Sequence, residues 1–403
     1  VAELIAARTD VPLEGLLIAG THTHSGPGGF FGSDFYNRFA SNVPGLDPDY
    51  FNQVAEQMAA GIVQAYEARR PGRIAFGTTE VWGYTRNRSP EAHLANSHIT
   101  DREMRPERVY QLVNPVLSML RIDAQTSQGD FRPLGAFSNF SIHGTAVPHD
   151  FDVYNGDVFT YVEQELEWNI RETYRPEWPP VHAVSNATHG DNSPDYRFGL
   201  QGFIEARRLG LGIAEQAWKL FQSLEPAANP DLPISVTARE VDLYQEPEYG
   251  GVTLCSTPVA GSALIAGADD GSTPVLRSLP FFAQGWPRKL FTRNCQGSKR
   301  WFGSKTGQRI YLPRDGFPHH LFLQVIRIGD AVYVPLPFEV TSEMGKRIAA
   351  AAKRGAAASI PANASVVVIS CSNDYFGYVT TPEEYALQYY EGCLLYTSPS
   401  PRD

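Results

Sequence analysis

The chain is poor in cysteine, with four in 403 residues. None are spaced as Cys-x-x-Cys, which argues against a thiolate zinc site. No run of about 18 apolar residues occurs, so no segment reads as a membrane-spanning helix. Positive charge is also short. Lys and Arg number 34 against 44 Asp and Glu, for a formal net charge of −10. That balance argues against a nucleic-acid partner, because phosphate contacts need basic patches. Internal repeats and low-complexity stretches are absent. The first residue is Val1 rather than Met, and no signal peptide is visible.

What is present is an ordinary globular composition, 42% hydrophobic and 12% aromatic, with enough chain for a large core. The 30 prolines imply many loops. Val1 to Ala7 reads as the end of a helix already under way. At the other end, residues 393–403 have no periodicity and follow a helix abruptly. They resemble the translation of a transposase-type sequencing adapter and are left out of fold reasoning. The working unit is therefore residues 1–392, expected to be a fragment cut at both ends.

One stretch organises this unit: Gly20-Thr21-His22-Thr23-His24-Ser25-Gly26-Pro27-Gly28-Gly29. The apolar run Leu16 to Ala19 before it predicts a short buried strand. The glycines and proline after it can continue neither helix nor strand. Strand side chains alternate faces, so His22 and His24 are expected to point the same way into one cavity. The same logic recurs at His143-Gly144-Thr145, after the predicted strand Leu134 to Ile142. A third polar segment, Asn186 to Asp195, follows the predicted strand Val181 to Ser185 and contains His189-Gly190-Asp191-Asn192-Ser193-Pro194. Further on, Leu321 to Ile328 and Ala331 to Leu336 predict a hairpin that delivers Glu339 to a helix entrance.

Between these segments the pattern alternates strands with helices, predicted over Tyr50 to Arg70, Val158 to Tyr174, Gly199 to Ser223 and Val340 to Arg354. In the first of these, Phe51, Val54, Met58, Ile62 and Tyr66 form the expected buried face. Residues 244–316 are irregular and rich in Gly, Pro and Ser, a length uncommon in a compact domain unless it has a task. The expected fold is α/β, with mixed sheets covered by helices and the site at strand ends among long loops.

The Thr-His-Thr-His decapeptide resembles the signature of the neutral (non-lysosomal) ceramidases, zinc amidases that cleave ceramide into sphingosine and a fatty acid. The resemblance recurs in order along the chain. It includes Asn87-Arg88-Ser89-Pro90, His143-Gly144-Thr145, Gly190-Asp191-Asn192-Ser193-Pro194, Ala266 to Gly271, Pro337-Phe338-Glu339 and Tyr378-Val379-Thr380-Thr381, with Tyr390-Glu391-Gly392 at the end. Two departures stand out. Ala146 to Asp152 differs from the family pattern where the substrate should approach, and Phe338 replaces a glycine.

The resemblance implies zinc held by His22, His143, Glu339 and Tyr378. Two imidazoles, a carboxylate and a weak phenol leave room for water, whose pKa zinc lowers to about 7. It further implies His24 as the proton shuttle to the leaving amine, Arg88 and Tyr390 as donors to the oxyanion, and Ser193 as essential. Ser193 could be a nucleophile or could hold substrate hydroxyls; with a metal present the second needs no covalent step. The implied partner is ceramide or a similar N-acyl lipid, with membrane-surface contact left open. The implied location is secreted or periplasmic, which would permit a Cys255–Cys295 disulfide. Cys371, at a strand end, is expected to be a buried free thiol. Hydrolysis of another amide or ester, and a non-catalytic lipid-binding role, are the competing readings. Oligomeric state is not readable.

Overall fold

A computed structural model describes residues 1–393 except 40–42, 149, 197–200, 227–231, 246–247, 250–251, 256–257, 272–273, 291–294 and 312. Two four-stranded mixed sheets form its centre. In the first, Gly72–Glu80, Val116–Gln125 and Phe131–Phe140 run antiparallel in turn, and Val181–Asn186 lies parallel to the last. In the second, Ser365–Ile369 is parallel to Ala331–Pro335, then His320–Ile328 and Ile234–Asp242 follow antiparallel. The α/β expectation holds, and Ile234–Asp242 adds an edge strand that the sequence pattern does not predict.

Strand alternation decides how the layers stack. Leu117, Met119, Ala136 and Val184 face the Asp157–Tyr174 and Phe203–Ser223 helices through Val158, Val162, Leu166, Leu209, Ile213 and Phe221. On the other face, Phe76 and Phe137 meet Tyr333, Ile326 and Ile328 of the second sheet. That sheet then turns Val334, Val366 and Val368 toward Met344, Ile348 and Ala352 of the Ser342–Gly355 helix. The order of layers is helix, sheet, sheet, helix.

Two local expectations are corrected. Leu16 to Ala19 is extended but forms no ladder; Ala19 makes a single bridge to Ser372, and Ile18 exchanges bonds with Asn373. The Pro48–Glu67 helix buries Ala59 and Val63, whereas Phe51 and Met58 stay exposed. It packs against the short Ala2–Ala6 helix, where Ala59 and Ile62 meet Ala2 and Ile5. Cys393, placed by sequence with the tail, is the buried last residue of the Tyr390–Cys393 helix; residues 394–403 lie outside the described set. Cys255 and Cys295 are disulfide-bonded and Cys371 is free. Among the described residues no helix is long and apolar enough to cross a membrane.

The sheet core carries a titratable probe of its own. His182 is buried, its ring nitrogens 2.9 Å from Ser138 Oγ and 3.3 Å from the Val162 carbonyl. Burial pushes its imidazole down to about 4. The unfolded chain takes up this proton near pH 6.5 while the folded chain resists until about pH 4. Stability should therefore fall as pH drops through that window, by about 1.4 kcal/mol per pH unit. His182→Gln should flatten this part of the pH dependence of the unfolding free energy, measured in urea. A slope unchanged by the substitution would show that His182 does not govern it.

Candidate metal centre

The two parallel strand pairs end at the same place, and their carboxyl ends carry the chemistry. Phe131–Phe140 leads to His143, and Val181–Asn186 to His189. Ala331–Pro335 leads to Glu339, whose amide donates to the Gly377 carbonyl and which pairs in register with Tyr378. His22 arrives from the extended N-terminal segment, tied by the Gly20 amide to the Cys371 carbonyl and by a Thr23–Gly144 bridge. Its φ of 62° is left-handed, uncommon outside glycine and asparagine. His22 and His24 do come together, their Nε2 atoms 3.1 Å apart, but through this turn rather than by strand alternation.

Four donor atoms from His22, His143, His189 and Glu339 lie within 4.8 Å of one another. Glu339 Oε2 is 2.8 Å from His143 Nε2, 3.3 Å from His22 Nε2 and 3.5 Å from His189 Nε2. Ligands about 2.0–2.1 Å from one tetrahedral ion are roughly 3.3 Å apart, so these spacings suit a common metal. The opposite ring nitrogens are engaged elsewhere. Nδ1 of His143 faces the His189 carbonyl at 2.9 Å, and Nδ1 of His189 faces the Ala187 carbonyl at 3.4 Å. Nδ1 of His22 lies 3.8 Å from Cys371 Sγ. Partners of this kind fix the tautomer that leaves Nε2 free to ligate.

Electrostatics agree with that assignment. Burial, reinforced by nearby positive groups, holds the His143 and His189 imidazoles below their ordinary range, hence neutral at pH 7. Burial would raise the Glu339 carboxyl, but the surrounding imidazoles overcome it and drive the group well below the usual carboxylate range. The pocket thus presents the neutral imidazoles of His143 and His189 beside an ionised carboxylate, protonation states that suit a metal.

The other residues singled out from sequence surround the four donors. The Tyr378 hydroxyl lies 3.3 Å from His143 Nε2 and accepts a bond from Arg88 Nη2 at 2.8 Å. Arg88 is buried and also donates to Glu391, Asp270 and the Gly190 carbonyl. Ser193 is buried; its hydroxyl donates to Asp270 Oδ2 at 2.8 Å, as does that of Thr145 at 2.7 Å. Tyr390 packs edge-on against Tyr378, with ring centroids 5.5 Å apart. His24 lies against His22 on the solvent side, outside the four-donor group.

Three participants escaped the sequence reading. His189 carries the same signal as His143, a histidine before glycine at a strand end, yet was read only as part of the Asp/Ser segment. Asp270 lies in the irregular 244–316 region, whose long-range partner no local pattern reveals. Tyr375 donates to Glu339 Oε1 from the loop before Tyr378.

The pattern of the N-terminal domain of neutral/alkaline non-lysosomal ceramidases matches residues 12–200 and 241–396. The chain belongs to that family. It is 28% identical to the neutral ceramidase of Pseudomonas aeruginosa over 94% of its length and 56% of the relative's. Against the neutral ceramidase of Mycobacterium tuberculosis it is 28% identical, over 93% of this chain and 59% of that protein. The crystal structure of the Pseudomonas aeruginosa neutral ceramidase superposes with a TM-score of 0.75 at 28% identity, covering 98% of this chain and 60% of that one. A ceramidase complexed with C2 gives 0.76, also at 28% identity, over 99% and 61%. The chain spans about 60% of the length of the relatives it matches.

His189 separates a four-donor centre from one that relies on Tyr378 instead. His189→Ala should weaken zinc retention by more than the roughly 10–100-fold typical of residues that only orient a ligand. Dialysis against graded chelator, with circular dichroism to confirm folding, measures this. A folded His189→Ala protein that holds zinc like the wild type would place His189 outside the coordination sphere.

Proposed function

We propose that the chain carries the catalytic site of a zinc-dependent amidohydrolase that cleaves the N-acyl amide of ceramide to sphingosine and a fatty acid. The observation that carries this reading is the convergence of His22, His143, His189 and Glu339 on one point, in a chain of this family. An aromatic cluster of Phe31, Phe35, Tyr36, Tyr375, Tyr378 and Phe317 adjoins that point; four of the six are buried, so it forms an apolar wall packed beside the donors.

A zinc ion bound there would supply a Lewis acid and water with a lowered pKa. The chain's own groups supply the rest. Tyr378, held by Arg88, presents its hydroxyl beside the ligand cluster, where it can donate to the carbonyl oxygen as charge develops. His24 sits next to His22 and faces solvent, placed to carry a proton to the nitrogen as the amide C–N bond breaks. Ser193 and Asp270 act as a hydrogen-bonding pair toward substrate hydroxyls. Arg88, with its donors directed at Tyr378, Asp270, Glu391 and a carbonyl, acts as a positioning residue rather than a free oxyanion donor.

The disulfide supports a secreted or periplasmic location. A different amide or ester substrate is the second reading. It is favoured by the divergent segment from Ala146 to Asp152, after which Val153 and Tyr154 stand exposed.

Glu339→Gln keeps the size of the side chain and removes its charge. It should strip zinc and abolish turnover of a fluorescent short-chain ceramide, whereas Ser193→Ala should keep zinc and lose turnover. Zinc measured by mass spectrometry and product by chromatography decide the matter. A Glu339→Gln protein with stoichiometric zinc and near-normal turnover would sink the site. Wild-type protein that holds zinc but cleaves only other amides or esters would shift the reading to the second substrate class.

A further inference from the structure

A second group of donors lies away from this centre, on the second sheet. Asp242 is the last residue of Ile234–Asp242, and His320, the first of His320–Ile328, is its direct partner in the antiparallel register. Directly opposed residues share a face of the sheet. His319 precedes them, and its ring lies 4.3 Å from that of His320. One donor atom from each of Asp242, His319 and His320 lies within 4.8 Å of the other two.

The surroundings orient these donors. His319 Nδ1 is 3.1 Å from the Phe317 carbonyl, which leaves Nε2 as the free lone pair. The His319 ring stacks on Tyr244, centroids 4.4 Å apart and nearly parallel, and the guanidinium of Arg314 lies over Tyr244. Asp242 Oδ1 accepts from the Tyr244 amide at 2.9 Å, leaving Oδ2 available. Glu240, two residues before Asp242 and therefore on the same face, reaches His320 Nδ1 at 3.3 Å. Two carboxylates beside two imidazoles would balance a divalent charge. Imidazole with carboxylate suits zinc and its neighbours in the first transition series.

We propose that Asp242, His319 and His320 form a second, surface metal site for a zinc-class divalent ion, with Glu240 beside it. The ion would tie the edge strand to its neighbour and hold the loop that ends at Phe317. The Phe317 ring packs with Phe35, Tyr36 and Tyr378, so the clamp bears on the aromatic cluster beside the buried centre.

The test counts zinc. Stripped protein is titrated with Zn2+ against a chromophoric chelator, and bound metal is measured after gel filtration. Wild type should bind two equivalents, the double variant His319→Ala/His320→Ala one, and Glu339→Gln one. Zinc should also raise the melting temperature of Glu339→Gln, and that increment should vanish when the histidine pair is removed from it. The double variant keeps the whole buried centre, so failure of that centre and failure of this site are read separately. A double variant that binds as much zinc as the wild type would overturn the proposal. So would a wild type whose single equivalent is lost with Glu339→Gln alone.

Discussion

The structure turns on one buried carboxylate. Glu339 is almost fully enclosed, and its nearest neighbours are three imidazoles and two phenols. The nearby guanidinium, that of Arg88, is directed at Asp270 and Glu391 and reaches the cluster only through Tyr378. A buried charge without compensation costs several kcal/mol. The surrounding imidazoles offset part of that cost; a divalent ion held between them and the carboxylate would offset the rest. The same charge explains why the ligands come from four distant parts of the chain. Only where the two parallel strand pairs end together can so many side chains reach one point while their backbones stay hydrogen-bonded.

Two glycines make that convergence sterically feasible. A Cβ on Gly144 would lie 2.6 Å from the His22 carbonyl oxygen, and one on Gly190 would lie 2.9 Å from the Glu339 carbonyl oxygen. Each follows a candidate ligand, His143 or His189, and each lets the backbone of another candidate close in. The His-Gly pair is therefore a steric unit. It delivers one imidazole and admits a second donor, from His22 in one case and Glu339 in the other. Cys371 contributes in a related way. It adopts a left-handed φ of 51° and turns its sulfur toward His22 Nδ1 and, at 4.0 Å, His189 Nε2. A non-glycine residue in that region stores strain that the surroundings must support.

Much of this was legible in the sequence. Apolar runs located most strands of the two sheets, but the largely exposed edge strand Ile234–Asp242 carries no such run and was not expected. His22, His143 and Glu339 each end an apolar run, but it is the family resemblance that singles them out. His189 obeyed the same rule but was masked by the Asp/Ser turn around it. The left-handed turn at His22 was not legible, because it depends on the fit of Thr23 against Gly144, 121 positions away. The buried face of the Pro48–Glu67 helix was misjudged for a similar reason. Periodicity shows which side chains line up, whereas the neighbour decides which face is covered. Asp270 illustrates the limit most clearly: its partners Arg88, Thr145 and Ser193 are distant in sequence, and no local composition marks them as its own.

Asp270 also bears on the role of Ser193. A serine nucleophile needs a neighbour that will take its proton. Its neighbour here is Asp270, which burial alone would make more basic. Arg88 reverses that effect, with His143, Thr145 and Ser193 itself adding to it, and the carboxyl falls below the usual range. A carboxylate held so firmly ionised is a poor proton acceptor but a strong hydrogen-bond acceptor. It polarises and orients the Ser193 hydroxyl without activating it. For the proposed reaction, the arrangement favours a serine that receives substrate groups over one that attacks them, and would leave attack on an amide to the centre built around Glu339.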